Sequence, residues 1–314
     1  MMPYLKIARP DHWLKNIFML PGTALAVIML PVSHDRLYWP LLLGLVSTCL
    51  ITSANYALNE YLDADFDRYH PVKKARPSVA GLLNPLYVAL EYCLLAAGGL
   101  VLAAIVGKMF LVFSVLLLVM GILYNVRPFR LKDLVYIDVL SESFNNPLRF
   151  LLGWHIVEKM YLPPSSILLA YWFGGAFLMA VKRYAEFSKI DDPVLAGRYR
   201  RSFQHYSRNS LLQSMFFYAM NAALFLGVFL VKYRIEFILS FPAIALLFAW
   251  YAGYGLNEDA AAENPEKLYR KWQFLLYTAF IGLLIFALFV IDMPGLKFLM
   301  EKHLVSRSGV LTLP

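Results

Sequence analysis

Apolar stretches of bilayer length recur along the whole chain, and the polar intervals between them are too short to form soluble domains. Nine can be read, at residues 17–31, 38–58, 83–106, 109–125, 134–156, 163–185, 211–231, 235–253 and 273–292. Most approach the ~20 residues that carry a helix across a hydrocarbon core. The first is short and is interrupted by Pro21 and Gly22. Composition agrees: 60% of residues are hydrophobic and 16% charged, with a mean hydropathy of +0.58, far from soluble averages. The expected fold is therefore all-α and integral to the membrane, one domain over residues 1–314. The opening MMPYLKIARPDHWLKN lacks the apolar core and cleavage site of a signal peptide.

The formal charge of +8 is unevenly spread. Twenty of the 29 Lys and Arg lie in segments 1–16, 59–82, 126–133, 182–209 and 254–272. The alternate connections hold eight, and Arg149 falls within a span. The positive-inside rule then puts the N-terminus and the long polar loops in the cytoplasm and the C-terminal tail outside. Because the bases are scattered among carboxylates, no nucleic-acid partner is expected; the bilayer is the expected partner. Cys49 and Cys93 sit inside apolar spans, which argues against a disulfide framework or a metal site.

The loop after the second span, NEYLDADFDRYHPVKKARP, concentrates charge. Asn59, Asp63 and Asp67 are spaced i, i+4, i+8, one stripe of a helix that begins deeper with Asn55. Stacked acids repel, and three hard oxygen donors suit magnesium, which keeps waters and phosphate oxygens in its shell. Lys73, Lys74 and Arg76 follow and can neutralise a phosphate oligoanion. The plain alternative is a solvated helix end with internal ion pairs. His70 in the same loop reads as a solvated histidine or a phosphate donor.

Two further groups carry charge at membrane depth. YNVRPFRLK, Tyr124 to Lys132, is a stiff turn whose Arg127 and Arg130 are equally explained as topology residues. The fifth span then holds Asp138, Glu142, Asn145, Asn146 and Arg149. At roughly 2.5–3.5 kcal/mol per intramembrane charge, a wet cavity explains the cluster better than chance. A Glu142–Arg149 pair that merely locks the bundle is the simpler reading. KRYAEFSKIDD places Lys182, Arg183, Tyr184 and Glu186 at the end of the sixth span. The later GRYRRSFQHYSR reads as a basic surface helix on lipid headgroups. Glu258 and Asp259, in the 256–271 connection, are weaker candidates. If spans 1–4 and 5–8 are two halves, residues 59–76 and 182–192 should face each other across one central cavity. The tail MPGLKFLMEKHLVSRSGVLTLP reads as an amphipathic stretch on the membrane surface. No nucleophile–base set or Walker-type loop appears.

These residues resemble the UbiA superfamily of intramembrane prenyltransferases: nine spans, Arg9-Pro10 before the first, an N-x-x-x-D-x-x-x-D loop after the second, and YNVRPFRLK after the fourth. Two departures stand out. Glu60 occupies a position the superfamily usually gives to Asp, and Lys182-Arg183-Tyr184-Ala185-Glu186 replaces a second D-x-x-x-D motif. Exchanging acid for Lys-Arg implies another anion in the cavity. That segment, the HPVKKARP tail, and Arg149 with Gly153 are similar to one branch, the decaprenyl-phosphate phosphoribosyltransferases.

The resemblance implies nine helices around a central cavity open to the cytoplasm and sideways to lipid, in a bacterial inner membrane. It implies magnesium on Asn59, Asp63 and Asp67, phosphoribosyl diphosphate as donor and a polyprenyl phosphate as acceptor. Asp63, Asp67, Lys182 and Glu186 would carry catalysis. Asn59, Lys73, Lys74, Arg76, Tyr124, Lys132, Arg149, Arg183 and Tyr184 would bind substrates. Assembly into a homo-oligomer stays open. The alternatives are a prenyltransferase that moves a prenyl group to an aromatic acceptor and, in a different class, an ion-coupled transporter.

Overall fold

The structure, a computed structural model, describes residues 2–30, 37–70, 72–190, 192–257, 268, 271–296, 303–306 and 309–312. Among them, seven helical segments are long and apolar enough to cross a membrane. They are α3 (Tyr38–Leu62), α5 (Pro85–Val106), α6 (Lys108–Asn125), α9 (Ser165–Lys189), α11 (Arg208–Tyr233), Ile235–Leu256, whose α-helical part is α12 (Phe241–Leu256), and α13 (Trp272–Val290). The short helices are α1 (Met2–Ile7), α2 (Leu20–Met29), α4 (Ala64–Asp67), α7 (Ile137–Ser143), α8 (Asn145–Val157) and α10 (Pro193–Tyr199).

Two of the nine expected spans are interrupted instead of continuous. In the first, a 3-10 helix over Pro10–Met19 gives way to the ten-residue α2. Pro21 fits only the first turn of a helix, so α2 starts beside it and does not run through. In the fifth, α7 and α8 meet at Phe144. Pro147 cannot donate to the Ser143 carbonyl one turn earlier, and the ladder breaks there. Beside the break, Asn145 Nδ2 donates to the Glu142 carbonyl at 3.0 Å and the Ser143 hydroxyl to the Leu140 carbonyl at 3.1 Å.

In a membrane, small residues and interhelical hydrogen bonds hold helices together, because lipid tails are as apolar as Leu. The crossing of α2 and α8 is built this way. Thr23 Oγ1 donates to the Gly153 carbonyl at 2.8 Å. A Cβ on Gly153 would lie 1.8 Å from the Met19 carbonyl oxygen, and one on Gly22 would lie 2.0 Å from that of Phe150. Similarly, Ser47 Oγ on α3 donates to the Gly99 carbonyl of α5 at 2.7 Å.

Two apolar cores result. One gathers Met19, Ile51, Phe110, Leu117, Leu148 and Leu152; the other gathers Val139, Phe177, Val181, Met215, Tyr251 and Phe274. The boundary falls inside the fifth segment, since α7 supplies Val139 to one core and α8 supplies Leu148 to the other. The expected division after the fourth span is therefore displaced to the break at Phe144. The C-terminal segment contains an antiparallel hairpin, β1 (His303–Ser306) with β2 (Gly309–Thr312), pairing His303 with Thr312.

Candidate active site

Between the two cores lies a cavity of about 1530 Å³. Asn59, Asp63 and Asp67 stand on its wall as one stripe. Although α3 ends at Leu62, helical pairing continues: Asp63 N–H donates to the Asn59 carbonyl at 3.0 Å and Asp67 N–H to the Asp63 carbonyl at 2.8 Å. Asn59 Nδ2 donates to Asp63 Oδ2 at 3.3 Å and also to Asn125 Oδ1.

Each acid on this stripe is met by cations. Asp63 Oδ1 accepts from Arg130 Nη2 at 2.9 Å and from Lys132 Nζ. Asp67 Oδ2 accepts from Arg76. Glu60 accepts from Arg9, with Nη2 at 2.8 Å and Nε at 3.1 Å. Burial works against an ionised Asp63, but the Lys132 and Arg130 charges outweigh it and hold the carboxyl below its usual range. At Asp67 burial prevails over Arg76 and Lys73, and the carboxyl titrates higher than usual. Burial pushes the Lys132 ammonium down to about 8 despite Asp63. Arg9 and Arg130, both clamping carboxylates, adopt the left-handed backbone region at φ 49° and 33°. Any residue with a Cβ is strained in that conformation, and it recurs where geometry serves a site.

The opposite wall comes from α9 and the segment after it. Lys73 Nζ bridges the two sides, 3.2 Å from Glu186 Oε1 and hydrogen-bonded to the Tyr199 hydroxyl. Residues 59–76 and 182–192 thus face each other, as the two-halves reading expects. Burial of Lys73 opposes its charge, yet Glu186 prevails and raises its pKa. Arg183 donates to Glu186 Oε2 at 2.8 Å, to Asp138 Oδ2 at 3.3 Å and to Glu142. The Tyr124 hydroxyl donates to Glu142 Oε2 at 2.7 Å.

Of the residues singled out from sequence, Asn59, Asp63, Asp67, Lys73, Arg76, Tyr124, Lys132, Arg149, Lys182, Arg183 and Glu186 all line this cavity. Lys74 is exposed and off the wall, and Tyr184 packs into two apolar clusters. Their neighbours on the helix or turn line the cavity, and these two do not. Arg183 is 2% exposed and enclosed by three carboxylates, so it organises the wall and is not a free phosphate ligand.

The Glu142–Arg149 lock does not form. Arg149, 8% exposed, donates to Asn16 Oδ1 at 3.1 Å and to the Asn145 carbonyl at 3.5 Å, with no carboxylate partner among the described residues. Lys182 likewise makes no ion pair within 4 Å among them. His70 is buried, with Nδ1 accepting from the Val72 and Lys73 amides at 3.1 Å each, and is not a solvated loop histidine. Arg130 is buried, whereas Arg127 is exposed as a topology residue would be. The GRYRRSFQHYSR segment is not a surface helix either: Tyr199, Phe203 and Tyr206 are buried and Arg200 lines the cavity. Glu258 and Asp259 lie outside the described residues. Sequence reasoning gave no role to Arg200, Asn125 or the Arg9–Glu60 pair, although Arg200 and Asn125 lie in GRYRRSFQHYSR and YNVRPFRLK and Arg9 in the Arg9-Pro10 doublet.

Among the described residues no three His, Cys, Asp or Glu form a ready metal cluster. The donor set still fits magnesium, which needs few protein oxygens when water and phosphate complete its octahedron. Asn59, Asp63 and Asp67 offer hard oxygens on one wall, Asn59 and Asp63 already in contact. Their present partners, Arg130, Lys132 and Arg76, are long side chains able to turn toward a phosphate.

A model of the UbiA prenyltransferase family matches residues 18–277. The chain is 30% identical over 213 residues to the decaprenyl-phosphate phosphoribosyltransferase of Mycolicibacterium smegmatis, covering 66% of this chain and 63% of that protein. It is 27% identical over 207 residues to the nodulation protein NoeC of Azorhizobium caulinodans, covering 65% and 63% respectively. The match therefore spans just under two thirds of either relative. The UbiA homolog from Archaeoglobus fulgidus solved with DMAPP and Mg2+ superposes with a TM-score of 0.68 at 22% identity, covering 92% of this chain and 100% of that one. The chain belongs to the UbiA prenyltransferase family.

Proposed function

We propose that this chain is a transferase that moves a 5-phosphoribosyl group from phosphoribosyl diphosphate to a decaprenyl-type polyprenyl phosphate. Diphosphate is released, on the cytoplasmic side of a bacterial inner membrane, in the supply of cell-envelope precursors. One observation carries the reading: the described cavity wall has eleven Lys and Arg against seven Asp and Glu. A neutral aromatic acceptor with one prenyl diphosphate does not need that excess; a diphosphate, a sugar phosphate and a lipid phosphate together do. The similarity to the mycobacterial enzyme supports the same choice.

Asn59, Asp63 and Asp67 would hold magnesium, which when bound neutralises a diphosphate and makes it a better leaving group. Lys132 and Arg76 stand beside that stripe and neutralise the remaining diphosphate charge. The acceptor phosphate enters beside Arg149 and Lys182, cavity cations that make no ion pair among the described residues. One of its oxygens forms a bond to ribose C1 as the C1–O bond to diphosphate breaks and the electron pair leaves with diphosphate. The acceptor is ionised at neutral pH, so no general base is required. The rate gain comes from positioning and from fixed charges. Leu14, Ile17, Phe18, Leu178, Met179 and Leu275 make one side of the cavity apolar, suited to an isoprenoid chain.

The test is direct. Purified protein with magnesium receives either labelled phosphoribosyl diphosphate and polyprenyl phosphate, or labelled prenyl diphosphate and an aromatic acid. Label in lipid from the first pair is the expected result. Label transferred only in the second pair makes it an aromatic prenyltransferase, and transfer in neither removes the enzymatic reading.

A further inference from the structure

The segment joining α9 to α11 folds back over the cavity as a small clasp. Ile190, Ala196, Tyr199, Phe203, Tyr206 and Leu211 form a compact apolar cluster beneath it. Phe203 meets Phe187 edge-on at 5.4 Å and Tyr206 at 6.3 Å. From this element Arg200 reaches the cavity wall. Two of its nitrogens are fixed: Nε lies 3.3 Å from Asp138 Oδ2, and Nη2 donates to the Tyr124 hydroxyl at 2.7 Å. Nη1 has no hydrogen bond among the described residues.

Asp138 is wholly buried and holds the clasp from α7. Its Oδ1 accepts from the Tyr206 hydroxyl at 2.8 Å, and Oδ2 accepts from Ser202 and Arg183 at 3.3 Å each. Arg200 thus shares its one carboxylate with a second arginine. Lys73 shares Glu186 with Arg183 in the same way; the difference is that the carboxylates of Lys73 and Arg76, Glu186 and Asp67, line the cavity, whereas Asp138 lies behind its wall. Arg200 and Asp63 line the same cavity, so the guanidinium and the acidic stripe share one space. Lys182 and Arg149 line the same cavity from α9 and α8.

We infer that Arg200 binds the 5-phosphate of the sugar donor and makes the site specific for a donor phosphorylated at both ends, with Asp138 as its positioning residue. This rests on the proposed function. A guanidinium held by two anchors meets a phosphate with little loss of side-chain freedom, and a site built around such a contact rejects analogues that lack the group.

The experiment is steady-state kinetics of the full chain in detergent, wild type against Arg200→Lys and Asp138→Asn. Both variants raise KM for phosphoribosyl diphosphate by about tenfold or more, as loss of a charged hydrogen bond does, and leave KM for polyprenyl phosphate unchanged. Ribose 5-phosphate competes with the donor in wild type but loses its effect in Arg200→Lys, whereas inorganic diphosphate inhibits both. Should either variant unfold, Tyr124→Phe, which removes one anchor, gives a smaller rise in donor KM alone. Unchanged donor KM, raised acceptor KM, or equal loss of both inhibitors overturns the assignment. A wild type that accepts only prenyl diphosphates overturns the proposed function, and this inference with it.

Discussion

Arg149 shows most plainly what a single residue contributes here. A buried guanidinium bonded only to neutral oxygens pays for desolvation without a counter-charge. Arg149→Met should therefore raise the thermal midpoint in detergent while raising KM for the acceptor phosphate; a lowered midpoint with unchanged KM would make the arginine purely structural. Asp63→Asn and Asp67→Asn should abolish transfer, at least a hundredfold by the size of metal and charge effects, and still yield folded protein. Arg76 keeps Glu60 at 4.0 Å when Asp67 is gone, and Lys132 keeps Asn125 at 2.7 Å when Asp63 is gone. Activity retained in either variant would remove the metal role.

At the scale of elements, two devices hold the site's framework. The α2–α8 crossing leaves no room for a side chain, so Gly153→Ala must push the helices apart. Overpacking costs about 1–3 kcal/mol, and backbone in the way places this case at the upper end. Circular dichroism melting measures it, and an unaltered midpoint would contradict the close approach. The second device is the His70 tie, whose ring packs at a tilt against Tyr199, centroids 4.7 Å apart. Burial, and then the Lys73 charge, push His70 down from 6.5 to about 4. The unfolded turn thus binds a proton more readily than the folded one. The contribution of the His70 bonds to holding the turn is fully present above pH 6.5 and is lost as pH falls toward 4, because protonation at Nδ1 removes the acceptor for two amides. Hydrogen exchange at the Val72 and Lys73 amides should quicken across that window after correction for intrinsic rates, and a flat profile would refute the tie.

For the molecule as a whole, two apolar cores flank a polar seam, and the seam is already balanced internally. Arg130, Lys132 and Arg76 pair with the acids of the stripe and offset their charge. Chelation should therefore stop transfer, and added magnesium should restore it, while the melting midpoint moves little. A large destabilisation on chelation would mean that metal, not these cations, holds the wall together.

The periodic Asp stripe, the apolar runs and the charge asymmetry are local patterns, so composition and spacing alone determined the all-helical membrane architecture and the acidic wall. Residues 59–76 and 182–192 could also be paired from order along the chain. What the chain order could not reveal was which cations are free. Arg130 and Arg200 look like ordinary basic decoration in sequence, and Arg183 looks like an available ligand. Their roles depend on contacts with Asp63, Asp138 and Glu142, residues 67, 62 and 41 positions away. The break at Phe144 was likewise hidden, because a proline and three polar side chains inside an apolar run state no geometry until α2 packs against them. Charge type is written in the residue; whether a charge is spent on a neighbour or left for a ligand is decided only when distant helices meet.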